Sequence, residues 1–323
     1  MSAAPLISVV TPSFNQGPFI ERCIRSVLDQ QYPHFEHIVI DNQSTDETPA
    51  IVRRYRHVQW VSEPDAGQSD AVNKGIREAR GEVIGWLNAD DFYEPGAFAP
   101  AARALHRDTG VMAMAGGVHL READGRHRRT VWPTLRSFDD MLRFWEGGYG
   151  LCQPGVLFRR EVYERLGELR TDLHYALDYD YWLRLVRHFP IQIVDRVLAN
   201  YVFHPASKSG SAAFGRGFNE ELARVSRQYW GARGSRRYGR LARGCRRFLV
   251  HQLVNAIVAT HKYQRRVDWD SLRRLACYGP HHLLHRHLVG VLAEQLVGER
   301  PWRTIKRVLR VGSVSAEPVC RVP

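Results

Sequence analysis

The alternation of short β-branched runs with helix-period segments over the first hundred residues constrains this chain more than any other feature. LISVVT (6–11) is one such run, and after the loop SFNQGP the residues Ile20, Cys23, Ile24, Val27 and Leu28 recur at helical spacing. HIVID (37–41) predicts a second strand. It is followed by NQSTDET, where Ser44 or Asp46 can cap a helix running to about Arg56. VQWVSE (58–63) and EVIGWLN (82–88) predict two more strands, with the helical segment SDAVNKGIREA (69–79) between them. Strand and helix in turn, with short connections, imply parallel strands, right-handed crossovers and helices on both faces. In such a sheet, ligands bind beyond the carboxyl ends of the strands.

Those ends are polar: Thr11 and Asn15, Asp41 and Asn42, Glu63 and Asp65, then Asn88, Asp90 and Asp91. Adjacent carboxylates such as Asp90 and Asp91 repel, and each loses free energy on desolvation, so a positive group is expected beside them. A competing reading makes one of them the cap of a helix starting near Pro95. Convergence of four strand ends on one sheet edge favours a binding site. No GxGxxG follows the first strand and no GxxxxGK[ST] occurs, so neither a dinucleotide fingerprint nor a P-loop is present. An acidic pocket that takes a phosphorylated ligand needs a divalent cation between them, and oxygen ligands suit Mg²⁺ or Mn²⁺.

Further on, VMAMAGGVHL (111–120) and the residues after READGRHRR read as a hairpin around Asp124-Gly125, and SFDDMLRFW (137–145) as a helix. QPGVLFRREVYERLG (153–167) reads as a strand and a helix, LDYDYWLRLVRHF (177–189) as a helix, and IQIVD (191–195) as a final strand. Five cysteines, odd in number and without a CxxC pair, argue against a disulfide framework or structural zinc. MSAAPLISVV lacks the features of a secretory signal, and no apolar run approaches a membrane span, so a cytoplasmic protein is expected.

Taken together, the first block (6–48), EPDAGQSDAVNKGI and GEVIGWLNADDFYEPGA resemble the nucleotide-binding half of the inverting family 2 glycosyltransferases. QPGVLFRREVYERLG and LDYDYWLRL resemble their acceptor half. The resemblance runs from about residue 6 to 209. It implies a GT-A type α/β fold in residues 1–213, with a mostly parallel central sheet flanked by helices, a nucleotide half over 1–95 and an acceptor half over 96–213. It also implies transfer of a sugar, with inversion, from a nucleotide-diphosphate sugar to the hydroxyl of a glycan, lipid-linked sugar or small molecule. Asn88-Ala89-Asp90 stands at the family's DxD motif, so the resemblance makes Asp90 a ligand of Mn²⁺ or Mg²⁺, with Asp91 beside it. Asn88 and Asn42 replace aspartates common in the family. Thr11, Asn15, Asp41, Asn42, Asp65 and Asn88 are the nucleotide-sugar-binding candidates. His204 stands where relatives carry a metal- or diphosphate-facing histidine, and packing is its alternative role. Lys208 belongs to a closing loop or a linker.

An inverting transfer needs a base for the acceptor proton. Asp178 aligns with the family's base, and helix geometry supports it over its neighbour: Asp178 and Asp180 point about 200° apart at ~3.6 residues per turn. Asp180 is spaced to pair with Arg184. A helix-dipole partner is the alternative role for Asp178. A nucleotidyltransferase is the rival enzyme class, but it needs a glycine-rich basic loop that SFNQGPFIE lacks, and a non-catalytic nucleotide-sugar-binding protein is the third reading.

Charge divides the chain. Residues 1–213 hold 24 Lys/Arg and 27 Asp/Glu, and residues 214–323 hold 22 and 7. The second part reads as a basic, mostly helical C-terminal extension with a stripe at Phe248, Leu249, Leu253 and Ile257. It suits packing on a protein surface or peripheral attachment to an anionic membrane face, whereas no motif supports nucleic-acid binding.

Overall fold

The computed structural model describes residues 4–106, 110–135, 137–146, 150–210, 214–264 and 267–297. The chain forms two compact units, residues 1–142 with 149–225, and residues 143–148 with 226–323.

The first unit opens as the alternation requires: β1 (Ile7–Ser13), α1 (Gly17–Leu28), β2 (Phe35–Asp41), α2 (Thr48–Val52), β3 (Val58–Ser62), α3 (Gln68–Glu78) and β4 (Val83–Trp86). α2 is shorter than expected and ends at Val52. Then come β5 (Phe92–Tyr93), α4 (Phe98–Ala104), β6 (Ala113–Glu122), β7 (His127–Val131) and α5 (Phe138–Leu142). The chain continues with β8 (Val156–Arg159), α6 (Arg160–Leu166), α7 (Leu177–His188), β9 (Ile191–Phe203) and α8 (Phe214–Arg227).

One sheet runs β3-β2-β1-β4-β8-β6-β9-β5, with β7 on the side of β6. The first four strands are parallel, as are β6 and β9. β8 runs antiparallel to both β4 and β6, joining the two parallel groups. Period-2 alternation in β1 explains the two-sided packing. Ile7 and Val9 join Cys23 and Val27 of α1 in one buried cluster. Val10 points the other way, so close to α3 that a Cβ on Gly75 would run into its Cγ1. A glycine there lets the helix settle on the sheet.

β9 extends to Phe203, well past the strand expected at 191–195. Its register against β6 shifts around Gly117, and a Cβ on Gly116 would come within 2.6 Å of the Arg196 carbonyl oxygen. These irregularities interrupt the period-2 pattern while the pairing continues. The outcome is that β9 delivers His204 to the end of β4, beside Asp90.

The second unit contains α9 (Arg236–Gln264), α10 (Trp269–Tyr278) and α11 (Arg286–Val297). Leu253, Val254 and Ile257 of α9 pack with Leu272, Leu275, Leu288 and Val291, so the expected apolar stripe is buried in a small helical core of its own. Phe144 and Trp145 of the 143–148 segment meet Phe248 and Trp230 edge to face. Among the described residues no helix is long and apolar enough to cross a membrane. The compact division falls beyond the charge break at 213/214, because α8 is bonded to the segment before α7.

Candidate active site

Each parallel strand ends in a polar residue that holds a loop. Asp41 closes β2, fully buried; it accepts from the Ser44 hydroxyl at 2.5 Å, the Ser44 N–H at 2.9 Å and the Ser62 hydroxyl at 3.1 Å. Ser44 in turn accepts the Asn15 N–H at 2.7 Å, and Asn15 Oδ1 accepts the Thr45 N–H at 2.9 Å. Asn15 has φ of +51°, a left-handed turn that asparagine tolerates better than most residues. Asp46 accepts from the N–H groups of Gly17 and Thr48, linking the starts of α1 and α2. Asn42 Oδ1 accepts the Asp65 N–H at 3.0 Å, and Asp65 accepts the Gly67 N–H just before α3. Partial burial raises the proton affinity of Asp65.

Thr11 differs from its expected role. It has no exposed surface, and its hydroxyl bonds His37 Nε2 at 2.9 Å beside Cys23, beneath the loops. The side chain is committed to the core and does not line the site.

The end of β4 carries the densest polar network. Asn88 Oδ1 accepts from Gln68 Nε2 at 2.7 Å and Trp86 Nε1 at 2.9 Å, while its Nδ2 donates to Gln153 Oε1 at 3.0 Å. Gln153 is buried and donates to the Trp86 carbonyl at 2.6 Å. An amide supplies both donors and acceptors. A carboxylate at position 88 would lose the bond to Gln153.

Asp90 and Asp91 separate. Asp90 is half-buried, with Oδ2 3.0 Å from Nε2 of buried His204. The His204 ring lies 4.2 Å from the Phe19 ring, tilted by 30°. Asp91 instead turns inward, 1% exposed, and accepts the Val202 N–H of β9 at 3.0 Å. Burial first, and the Asp90 charge second, push its carboxyl well above the usual carboxylate range. Asp91 therefore ties the strand end to β9 while its carboxyl stays in the field of Asp90. The Arg22 guanidinium lies in the field of both carboxylates, 4.3 Å over the Phe92 ring, and is one of the positive groups the acidic strand end required.

A second positive group is Lys208. Its ammonium donates to Gln68 Oε1 at 2.8 Å and to the His174 carbonyl at 3.0 Å, bridging the start of α3 and the segment before α7. Burial lowers its pKa, opposed by Glu221, Asp178, Asp65 and Asp90. The ammonium thus lies in the field of carboxylates from four parts of the first unit. Asp178, half-buried in the first turn of α7, accepts its neighbour Tyr179's N–H at 2.8 Å. Asp180 is buried, with Arg184 at 3.0 Å and Arg170 at 3.6 Å.

Asp90 and His204 offer one oxygen and one nitrogen, and among the described residues no group of three or more His, Cys, Asp or Glu could hold a metal. A carboxylate oxygen and an imidazole nitrogen are both ligands that a divalent cation such as Mn²⁺ accepts, and phosphate oxygens would complete its shell. A cavity of about 520 Å³ lies elsewhere, lined by Pro5, Tyr32, Ala99, Arg103 and His106. It lies beside the residues preceding β1, away from the strand ends where these sheets bind ligands.

Gln68, Gln153 and Glu221 escaped the sequence reading, since a single Gln or Glu outside a motif gives no signal. Only position could have suggested them: Gln153 three residues before a strand, Gln68 at a helix start.

Comparison with known proteins agrees with this architecture. Residues 8–167 match the family model described as Glycosyl transferase family 2. An uncharacterized glycosyltransferase of Mycobacterium tuberculosis is 32% identical over 189 residues, covering 57% of this chain and 70% of the relative. The structure of S. aureus TarS residues 1–349 in complex with UDP-GlcNAc superposes with a TM-score of 0.57 at 17% identity, covering 94% of this chain and 91% of that one. A mannosyltransferase from Pyrobaculum calidifontis, solved with GDP-Man and Mn²⁺, gives a TM-score of 0.53 at 19% identity, covering 92% and 89%. The fold is GT-A, and the chain belongs to glycosyltransferase family 2, whose members catalyse nucleotide-sugar-dependent glycosyl transfer.

Proposed function

We propose that the enzyme inverts configuration in a single displacement, with Asp178 as general base. The observation that carries this reading is that Asp180 is consumed by two arginines, while Asp178 lies in the field of Lys208, whose ammonium bonds Gln68 next to Asn88 at the end of β4. The loops fixed by Asp41, Asn15 and Asn42 frame the nucleoside, and Asn88 with Gln68 borders the sugar-diphosphate. Asp178 takes the acceptor hydroxyl proton as its oxygen attacks the anomeric carbon, and the bond to the diphosphate breaks on the opposite face. Lys208 offers its ammonium to the departing negative charge. Asp90 and His204 would hold Mn²⁺ or Mg²⁺, which supplies Lewis-acid stabilisation of the leaving group when bound. Mn²⁺ in the Pyrobaculum mannosyltransferase supports this choice of cation.

The acceptor is a hydroxyl of a glycan or lipid-linked sugar in polysaccharide biosynthesis. The basic excess of residues 214–323, with Tyr263 76% and Trp269 70% exposed, supports peripheral attachment to anionic lipid. Incubation with UDP-, GDP- and dTDP-sugars plus Mn²⁺ or Mg²⁺ tests the reaction. Nucleoside diphosphate release and a product of inverted anomeric configuration are expected. Retained configuration overturns the single displacement, and pyrophosphate release would identify a nucleotidyltransferase. Sedimentation with anionic vesicles, lost in high salt, tests the membrane reading.

A further inference from the structure

α7, which carries Asp178, begins without a cap of its own. Its N-cap residue is Ala176, which has no side-chain acceptor for the backbone N–H groups. A carboxylate from another helix instead holds the residues that lead into it. Glu221 of α8 takes the His174 N–H on Oε1 at 3.1 Å, and the Tyr175 and Ala176 N–H groups on Oε2 at 2.7 and 2.9 Å. Three successive backbone donors thus converge on one carboxylate, two residues before Asp178. Charge-assisted bonds of this kind are about twice as strong as neutral ones.

The rest of α8 reinforces the grip. Arg224 donates to the Asp172 carboxylate at 3.2 Å and to the Asp172 carbonyl at 3.1 Å. The Tyr175 ring lies against Gly217, where a Cβ would sit 2.9 Å from its Cδ2. From the other direction, Lys208 holds the His174 carbonyl. The 172–176 segment is fixed at five of its backbone groups, and four of those bonds come from α8.

We infer that Glu221 is a positioning residue for glycosyl transfer, setting the place of Asp178 by clamping the entry to α7. The inference rests on the assignment of Asp178 as base. It puts α8, which lies outside the 8–167 family match, into the catalytic apparatus. Because displacing a reacting group by ~1 Å can cost about 100-fold in rate, Glu221→Ala is expected to reduce turnover by about 10- to 100-fold. Donor affinity should stay within about twofold, since no bond of Glu221 reaches the strand ends.

The test uses the full-length protein, with water as acceptor and whichever nucleotide sugar of a UDP, GDP and dTDP panel releases most nucleoside diphosphate. Turnover, donor affinity by calorimetry and amide hydrogen exchange are measured for wild type, Glu221→Ala and Glu221→Gln. Expected are exchange at residues 174–176 at least tenfold faster in Glu221→Ala, unchanged donor affinity, and partial recovery of both exchange and turnover in Glu221→Gln, whose amide oxygen can still accept from Tyr175 and Ala176. Unchanged exchange overturns the clamp. Raised exchange with wild-type turnover overturns its role in positioning, as does a fall in donor affinity that matches the fall in turnover. Asp178→Asn, run alongside, separates the two ideas: full activity there removes the base assignment, whatever Glu221 does to exchange.

Discussion

Asp178 and Asp180, two positions apart on α7, face different surroundings: Asp180 is closed between Arg184 and Arg170, and Asp178 lies in the field of Lys208. Asp178→Asn keeps an acceptor oxygen but cannot take the proton. It is expected to lower transfer by 10²–10⁴-fold, the usual contribution of a general base, with donor affinity nearly unchanged. Asp180→Asn should leave Arg184 and Arg170 underpaired and lower the melting temperature at near-normal transfer rate. Rate, calorimetric affinity and melting curves for the two variants decide the matter; an inactive, fully stable Asp180→Asn would exchange their roles.

Asp90→Ala is expected to abolish Mn²⁺- or Mg²⁺-supported turnover while the fold persists, because Asp91, which ties the strand to Val202, remains in place. His204→Ala should weaken metal-dependent donor binding and also loosen packing against Phe19. Titration of nucleoside diphosphate with and without chelator measures both. Full activity of the wild type in excess chelator removes the metal from the scheme.

Asn88→Asp would restore the residue common in the family, yet it is expected to destabilise this chain. The new carboxylate meets the Gln153 carbonyl oxygen and the Asp91 carboxyl, which now lie 3.0 and 3.4 Å from the Asn88 amide nitrogen. Leaving a buried acceptor unpaired costs about 1–3 kcal/mol. The added like charge should make the loss grow as pH rises and both carboxyls ionise. Melting temperatures at pH 5 and pH 8 give the answer, and equal losses at both would discard the charge component.

His37 sets an acid limit on stability. Burial, and secondarily His57, hold its pKa down to about 3 from an ordinary 6.5. The unfolded chain therefore takes up a proton that the fold refuses. This stability is fully present above pH 6.5 and is lost as pH falls toward 3, at up to about 1.4 kcal/mol per pH unit. Urea unfolding at pH 7, 6 and 5 should show this slope, and His37→Gln should flatten it.

How much of this was legible depended on periodicity and motif. Ile7–Val10, Ile38–Ile40 and the α1 stripe announced their elements because burial on both faces of a parallel sheet demands continuous apolar residues. The Asp178–Asp180 contrast was legible too, since helical phase alone sends them to different surroundings. β9 was cut short because Asp195, Arg196 and Asn200 interrupt its apolar run, while pairing with β6 carries the strand on to Phe203. Neighbouring aspartates look alike in a sequence; the fold distinguishes them, giving Asp91 the Val202 N–H and Asp90 the His204 ring. Glu221 was hidden in a basic tail whose composition suggested an appendage.

Asp90 and His204 are separated by 114 positions along the chain. The parallel strands β1 to β4 are local enough to assemble while the polypeptide is still leaving the ribosome, but His204 has not yet been synthesised at that stage. Contacts of such separation form late, because loop closure precedes any reward from the contact. On this reading, the His204 contribution to holding the donor's diphosphate arrives only when β9 docks, and a chain interrupted before that strand should hold its donor more weakly however well its first strands have folded.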